Sequence, residues 1–235
     1  MSDGRPAFYA RPGSSWDDLV SLLHVPYTLW HLSYVVIGAA LAPTVDWLIL
    51  SGTLAAFAVG LGIGAHALDE VKSRPLSTGL TDRVLWLIGI GAMVVATGIA
   101  VVGSFQVSPW VMAWGVVGVF LAVGYALEWP VIHTDLGFGL AWGAFPVVVG
   151  YWAQTQAISV SVVVAAAAAT LLSLAQRALS TPARFVRRRT RESVVEFDGE
   201  VRWDRAELLQ TWERPLRLLA WAMVALALGL ISTHL

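Results

Sequence analysis

The stretch 47–79, WLILSGTLAAFAVGLGIGAHALDEVKSRPLSTG, decides how the whole chain is read. Its first part, Trp47–Ala67, is apolar and long enough to cross a bilayer as a helix. Gly52, Ala56, Gly60 and Gly64 recur at four-residue intervals along it, so a ridge of small side chains is expected to pack closely against a neighbouring helix. Continuing that helix places His66, Asp69 and Glu70 at i, i+3 and i+4, on one face at the membrane border. A cluster of this type can hold a divalent cation, although carboxylates are also ordinary at the end of an interfacial helix. Arg74-Pro75 then turns the chain away.

Composition agrees with this reading. Hydrophobic residues make up 57% of the 235 residues, charged residues only 13%, and the mean hydropathy is +0.69, which excludes an ordinary soluble domain. The spans expected are Tyr27–Ala42, Trp47–Ala67, Val84–Val102, Trp110–Leu127, Leu136–Gln154, Val160–Leu179 and Leu216–Ser232, seven in all. They form an all-α, polytopic membrane helix bundle treated as a single domain over 1–235. Its parts are an N-terminal arm and interfacial helix (1–26), a six-helix core (27–179), a basic cytoplasmic loop (180–215) and the last span (216–235). Ser14-Ser15 mark the start of the interfacial helix Ser15–Leu23, and Pro26 its end. Pro146 is expected to kink the fifth span, and Asp198-Gly199 to turn a small hairpin. The polar segment Met1–Gly13 lacks the apolar core of a signal peptide, so the first span is expected to target the chain to the membrane. The absence of cysteine removes disulfides and thiolate chemistry.

Charge sets the expected orientation. All fifteen Lys and Arg residues fall in the N-terminal arm, the Lys72–Arg83 loop or the Arg177–Arg217 region, one side of the membrane under seven spans. That side is expected to be cytoplasmic, with the amino terminus inside and the carboxyl terminus outside, in a prokaryotic plasma membrane. Polar residues gather at the same side: His24 and His31, His66, Asp69 and Glu70, then Tyr125, Glu128, His133 and Asp135. Each alone reads as a headgroup anchor, but together they suggest a cavity. The basic run Arg184, Arg187, Arg188, Arg189 and Arg191 reads first as a topology signal that touches anionic headgroups, and second as a source of phosphate contacts. Nucleic acid is not an expected partner.

Two stretches carry a resemblance. The stretch His66–Gly79, with its acidic pair and RPLSTG loop, resembles the first aspartate-rich motif, and the loop after it, of the UbiA superfamily of intramembrane prenyltransferases. Tyr125, Thr134-Asp135-Leu136-Gly137 and the glycine-rich fifth span, through Gly150-Tyr151-Trp152-Ala153, resemble a further connection of that family. The resemblance covers roughly Tyr27–Ala153. It implies a UbiA-like helical fold acting on a polyprenyl or other lipid phosphate or diphosphate, with Mg²⁺ as cofactor. Asp69 and Glu70 would then be metal ligands, Arg74 and Lys72 would contact phosphate, and Asp135 would help position substrate; Asp69, Glu70 and Asp135 are the candidate catalytic residues, and His31 and Tyr125 join Lys72 and Arg74 as candidate substrate contacts. The chain departs from the family's usual nine spans, and QRALSTPARFVRRRT stands where a second aspartate-rich motif is usual.

The surplus histidines keep a second hypothesis open. Here His66, Asp69, Glu70, Glu128, His133 and Asp135 bind a transition metal, which imidazole favours over Mg²⁺, and the protein acts on a lipid or quinone. In a third hypothesis the protein binds a membrane lipid without catalysis. Oligomeric state is left open by the sequence.

Overall fold

The computed structural model describes residues 6–11, 13–190, 195–197 and 201–235. It is a helical bundle with one two-stranded hairpin. Ser14 caps α1 (Ser15–Leu22) through a reciprocal box with Asp17, which satisfies amides that a helix start leaves bare. His24 then takes a left-handed conformation (φ 44°) and α2 (Val25–Ala40) begins at once. Pro26 therefore opens α2 rather than ending α1, because a proline in the first turn lacks only an N–H that would go unused there.

The next span is one continuous rod of three parts: α3 (Trp47–Phe57), a wide-turn π segment (Ala58–Ala65) and α4 (His66–Ser73). After α5 (Asp82–Gln106) and α6 (Trp110–Ala126), the fifth rod has the same plan, with α7 (Asp135–Phe138), a π segment (Gly139–Ala144) and α8 (Phe145–Thr155). The expected kink of this rod is thus a π segment immediately before Pro146, which cannot donate to the Trp142 carbonyl.

Helix α9 (Val160–Arg189) differs most from expectation. It carries the sixth span straight through Pro182 and the basic run, where a loop is expected from residue 180. The hairpin pairs β1 (Val195–Phe197) with β2 (Val201–Trp203) in antiparallel register, while Asp198-Gly199 and Arg191 lie outside the described residues. Helix α10 (Arg205–Ile231), capped by Asp204, joins the expected amphipathic helix and the last span into one element. Among the described residues six helices are long and apolar enough to cross a membrane, and α6 adds a shorter apolar helix of 17 residues. The protein is an integral membrane protein on this basis.

The two ends of the bundle differ in kind. At one end the Asp46 amide donates to Gln154 (2.8 Å), Gln156 donates to the Val107 carbonyl (3.1 Å), and His234 pairs with the Ala40 carbonyl (3.0 Å). The described Lys and Arg residues lie towards the other end, with the N-terminal arm. Helix α2 packs most closely on α8 and α10. Backbones of α2 and α8 touch, since a Cβ on Gly38 would meet the Val147 carbonyl oxygen at 2.1 Å and one on Gly150 the Val35 oxygen at 2.2 Å. The small-residue ridge of the α3–α4 rod packs closely where its glycines lie in the π segment. Gly60 and Gly64 approach Ala96, Ala92 and Met93 of α5, whereas Gly52 faces open space.

The α2–α8 contact predicts a contrast between glycines. Gly150→Ala should lower the melting temperature of the detergent-solubilised protein, by an overpacking cost of about 1–3 kcal/mol. Gly98→Ala, where nothing lies within 4 Å, should leave it unchanged or slightly raised. Equal stability of the two variants would refute the close backbone contact.

Candidate functional site

The polar end of the bundle encloses a cavity of about 100 Å³. Helices α2, α4 and α9 supply most of its polar wall, and the N-terminal arm covers it. Tyr34 marks the level at which the cavity is sealed below. Its hydroxyl accepts from the Trp30 indole (2.7 Å), lies 3.4 Å from the Ser173 hydroxyl and donates to the Ala169 carbonyl (3.3 Å). Because α2 and α9 run antiparallel, one turn towards the polar end brings His31 and Gln176 to a common level, then Tyr27 and Ser180, then His24 and Arg184.

Two histidines are fixed by carbonyls. His31 Nδ1 lies 2.9 Å from the Trp142 carbonyl oxygen, and His66 Nδ1 lies 3.1 Å from that of Gly62. A carbonyl only accepts, so each Nδ1 carries the proton and each neutral ring keeps a lone pair on Nε2. Both carbonyls belong to the π segments. His24 stacks on His66 with ring centroids 4.0 Å apart, and its buried Nε2 has no hydrogen-bond partner among the described residues. The Gln176 Oε1 atom is likewise buried and unpartnered.

Charge in the lining is unbalanced. Arg177, Arg184, Arg187 and Arg188 face two carboxylates, Asp69 and Glu213. Arg187 and Glu213 form a buried two-pronged pair, with Nη2 and Oε2 at 2.8 Å, and Arg177 pairs with Asp135 and the Tyr125 hydroxyl. Arg184 and Arg188 have no carboxylate within ion-pair distance among the described residues. They sit one turn apart at the mouth, with Arg184 Nη2 donating to the Thr181 hydroxyl at 3.5 Å. Above them Phe8 lies over the Arg217 guanidinium (4.8 Å), while Tyr9 packs against His24 and Tyr27. Burial pushes the Tyr9 phenol above its ordinary pKa, so it stays protonated at the mouth.

The residues expected from sequence divide into two groups. His31, His66, Asp69 and Tyr125 line the cavity. Glu70, Lys72, Arg74, Glu128, His133 and Asp135 are absent from its lining. Glu70 is fully buried and turned onto the following loop, accepting the Leu76 amide at 2.9 Å, the Thr78 amide at 2.8 Å and the Thr78 hydroxyl at 3.1 Å. Arg74, in a left-handed cap conformation, pairs with Asp82 and donates to the Leu80 carbonyl (2.8 Å). Lys72 and Glu128 are exposed. His133 stacks on Tyr125 and bonds the Tyr125 carbonyl at 2.9 Å.

No group of three or more His, Asp or Glu side chains that could hold a metal ion occurs among the described residues. The donor set expected for Mg²⁺ or a transition metal therefore does not fit. Glu70 spends both oxygens on its loop, and Asp135 is tied to Arg177.

The sequence reading missed Tyr9, Tyr27 and Gln176 as lining residues and ranked the arginines of α9 as topology charges. A signal for the latter was present. Arg177, Arg184 and Arg188 are spaced by seven and four, one face of a continuous helix.

On the far side of Trp142 lies a second, apolar cavity of about 360 Å³, bordered by Phe57, Met93, Trp114, Phe145 and Trp152. Trp142 lines both cavities. No protein-family profile, curated protein or solved structure matches the chain.

The position of Glu70 yields a prediction. Glu70→Ala removes three hydrogen bonds, two of them to backbone amides of one loop. Amide hydrogen exchange at Leu76 and Thr78 should speed up by about tenfold or more, the equivalent of one lost charge-assisted bond. Exchange at the parent rate would show that Glu70 does not hold the loop.

Proposed function

We propose that this protein binds the phosphate or diphosphate head of a polyprenyl or other membrane lipid in the polar cavity and acts on it as a transferase. The observation that carries the reading is the pair Arg184 and Arg188, two guanidinium groups at the mouth of a cavity with surplus positive charge. Oxygen-rich anions match such groups in charge and geometry. The apolar cavity beyond Trp142 supports a ligand with a long hydrocarbon part. The resemblance of His66–Gly79 to the first aspartate-rich motif of the UbiA superfamily points the same way.

In this reading the arginines do the work that metal ions do in the family. A departing phosphate gathers negative charge, and preorganised guanidinium groups in a cavity shielded from water offset it without rearrangement. Asp69 is the carboxylate placed to take a proton from an acceptor, with His66 one turn before it on the same face and a lone pair on its Nε2. The polar end lies at the cytoplasmic surface, because the Lys and Arg residues gather there.

Two experiments test this. Arg184→Gln combined with Arg188→Gln should weaken binding of undecaprenyl phosphate, followed by native mass spectrometry, by at least about tenfold. Arg74→Lys should bind as the parent does, since Arg74 is engaged by Asp82 and its own loop. The reverse pattern would move the phosphate site to the α4–α5 loop. For orientation, reporter fusions after Gly103 and after Ala157 should both read as external, and a cytoplasmic signal at either would overturn the assignment of sides.

A further inference from the structure

The depth profile of the polar cavity is uneven. Its mouth is cationic, with Arg184 and Arg188, while its floor is neutral and built of hydrogen-bonding groups with unused capacity. Gln176 is 3% exposed, and its Oε1 atom has no hydrogen-bond partner among the described residues. His31, 2% exposed, has its Nδ1 proton committed to the Trp142 carbonyl, so its Nε2 presents a lone pair to the same level. Leaving such groups unpaired is costly, by about 1–3 kcal/mol for each buried atom. An anion finds only the Gln176 amide N–H as a donor at this floor, because a neutral imidazole nitrogen and an amide oxygen accept. A hydroxyl group is a better partner, since it can donate to His31 Nε2 or Gln176 Oε1 and accept from the Gln176 amide N–H.

We propose that the polar cavity is selective for a polyol phosphate, a phosphate ester that carries a free hydroxyl. The phosphate sits at Arg184 and Arg188 and the hydroxyl at His31 and Gln176. The inference rests on the reading of the arginines as a phosphate site and adds the second half of the ligand. The same chemistry is available from a soluble ester or from a lipid headgroup.

The test uses the full chain in detergent and two matched pairs of probes. Glycerol 3-phosphate is compared with inorganic phosphate by calorimetry, and phosphatidylglycerol with phosphatidic acid of the same acyl chains by native mass spectrometry. The hydroxyl-bearing member should bind about tenfold tighter in one pair, the worth of one added buried hydrogen bond. Preference in the first pair identifies a soluble ligand, and preference in the second a lipid. Gln176→Leu should abolish the preference while leaving binding of the hydroxyl-free probe unchanged. If that variant fails to fold, Gln176→Asn, which withdraws the amide by one methylene, should reduce the preference instead. Binding of both members of each pair with equal affinity would overturn the polyol assignment alone. A preference that survives in the Gln176 variant would also overturn it. Failure of every phosphate-bearing probe to bind would overturn both this assignment and the phosphate site beneath it.

Discussion

Within a bilayer a backbone carbonyl deprived of its helical partner has no water to turn to, and the site of this protein is organised around two carbonyls that accept from histidine rings, one of them facing a proline. Both lie in glycine-containing π segments, where the backbone departs from α-helical hydrogen bonding. The Trp142 carbonyl cannot receive an N–H from Pro146, and His31 of α2 supplies a ring N–H in its place. The Gly62 carbonyl receives a ring N–H from His66, in its own rod. One bond joins two helices across the bundle, and the other fixes a side chain one helical turn from Asp69. Each leaves a neutral imidazole with its other nitrogen towards the polar cavity. Repair of the backbone and equipment of the site are thus the same contacts.

The glycines that permit this also place the helices. Gly38 and Gly150 let α2 and α8 touch backbone to backbone, which brings His31 within reach of Trp142. Gly143 lies against the Ala169 carbonyl of α9 in the same way, with its virtual Cβ at 2.5 Å from that oxygen. The second π segment is therefore clasped between α2, which holds its carbonyl, and α9, which carries the arginines. Trp142 stands in that segment as the wall between a polar and an apolar cavity.

Much of the fold was legible because the membrane imposes simple rules. Apolar runs gave the spans, and the one-sided placement of Lys and Arg located the polar end. The division of labour within Asp69-Glu70 was not legible. Adjacent residues on a helix differ by about 100° in direction, so only the packed structure tells which one faces a cavity and which a loop. Arg74 was misplaced for a similar reason: its left-handed cap conformation turns it towards Asp82, and nothing short of the loop geometry shows that. The extension of α9 was obscured by Pro182. In a long helix the lost bond to the residue a turn earlier can be tolerated, and the arginine spacing was the stronger signal.

The extension of α9 also bears on how the proposed phosphate site would work without a second acidic cluster. Metal-mediated phosphate binding needs carboxylates, because a divalent cation must first be held by the protein and only then meets the anion. Where guanidinium groups meet the anion directly, additional carboxylates would compete for them. In this cavity the carboxylates nearest the arginines are already committed: Glu213 to Arg187, Asp135 to Arg177 and Glu70 to its loop. Asp69 is the exception, and it shares the cavity with Arg184 and Arg188. A site that neutralises phosphate with arginine has reason to retain a single uncommitted carboxylate for proton transfer and to tie up the rest.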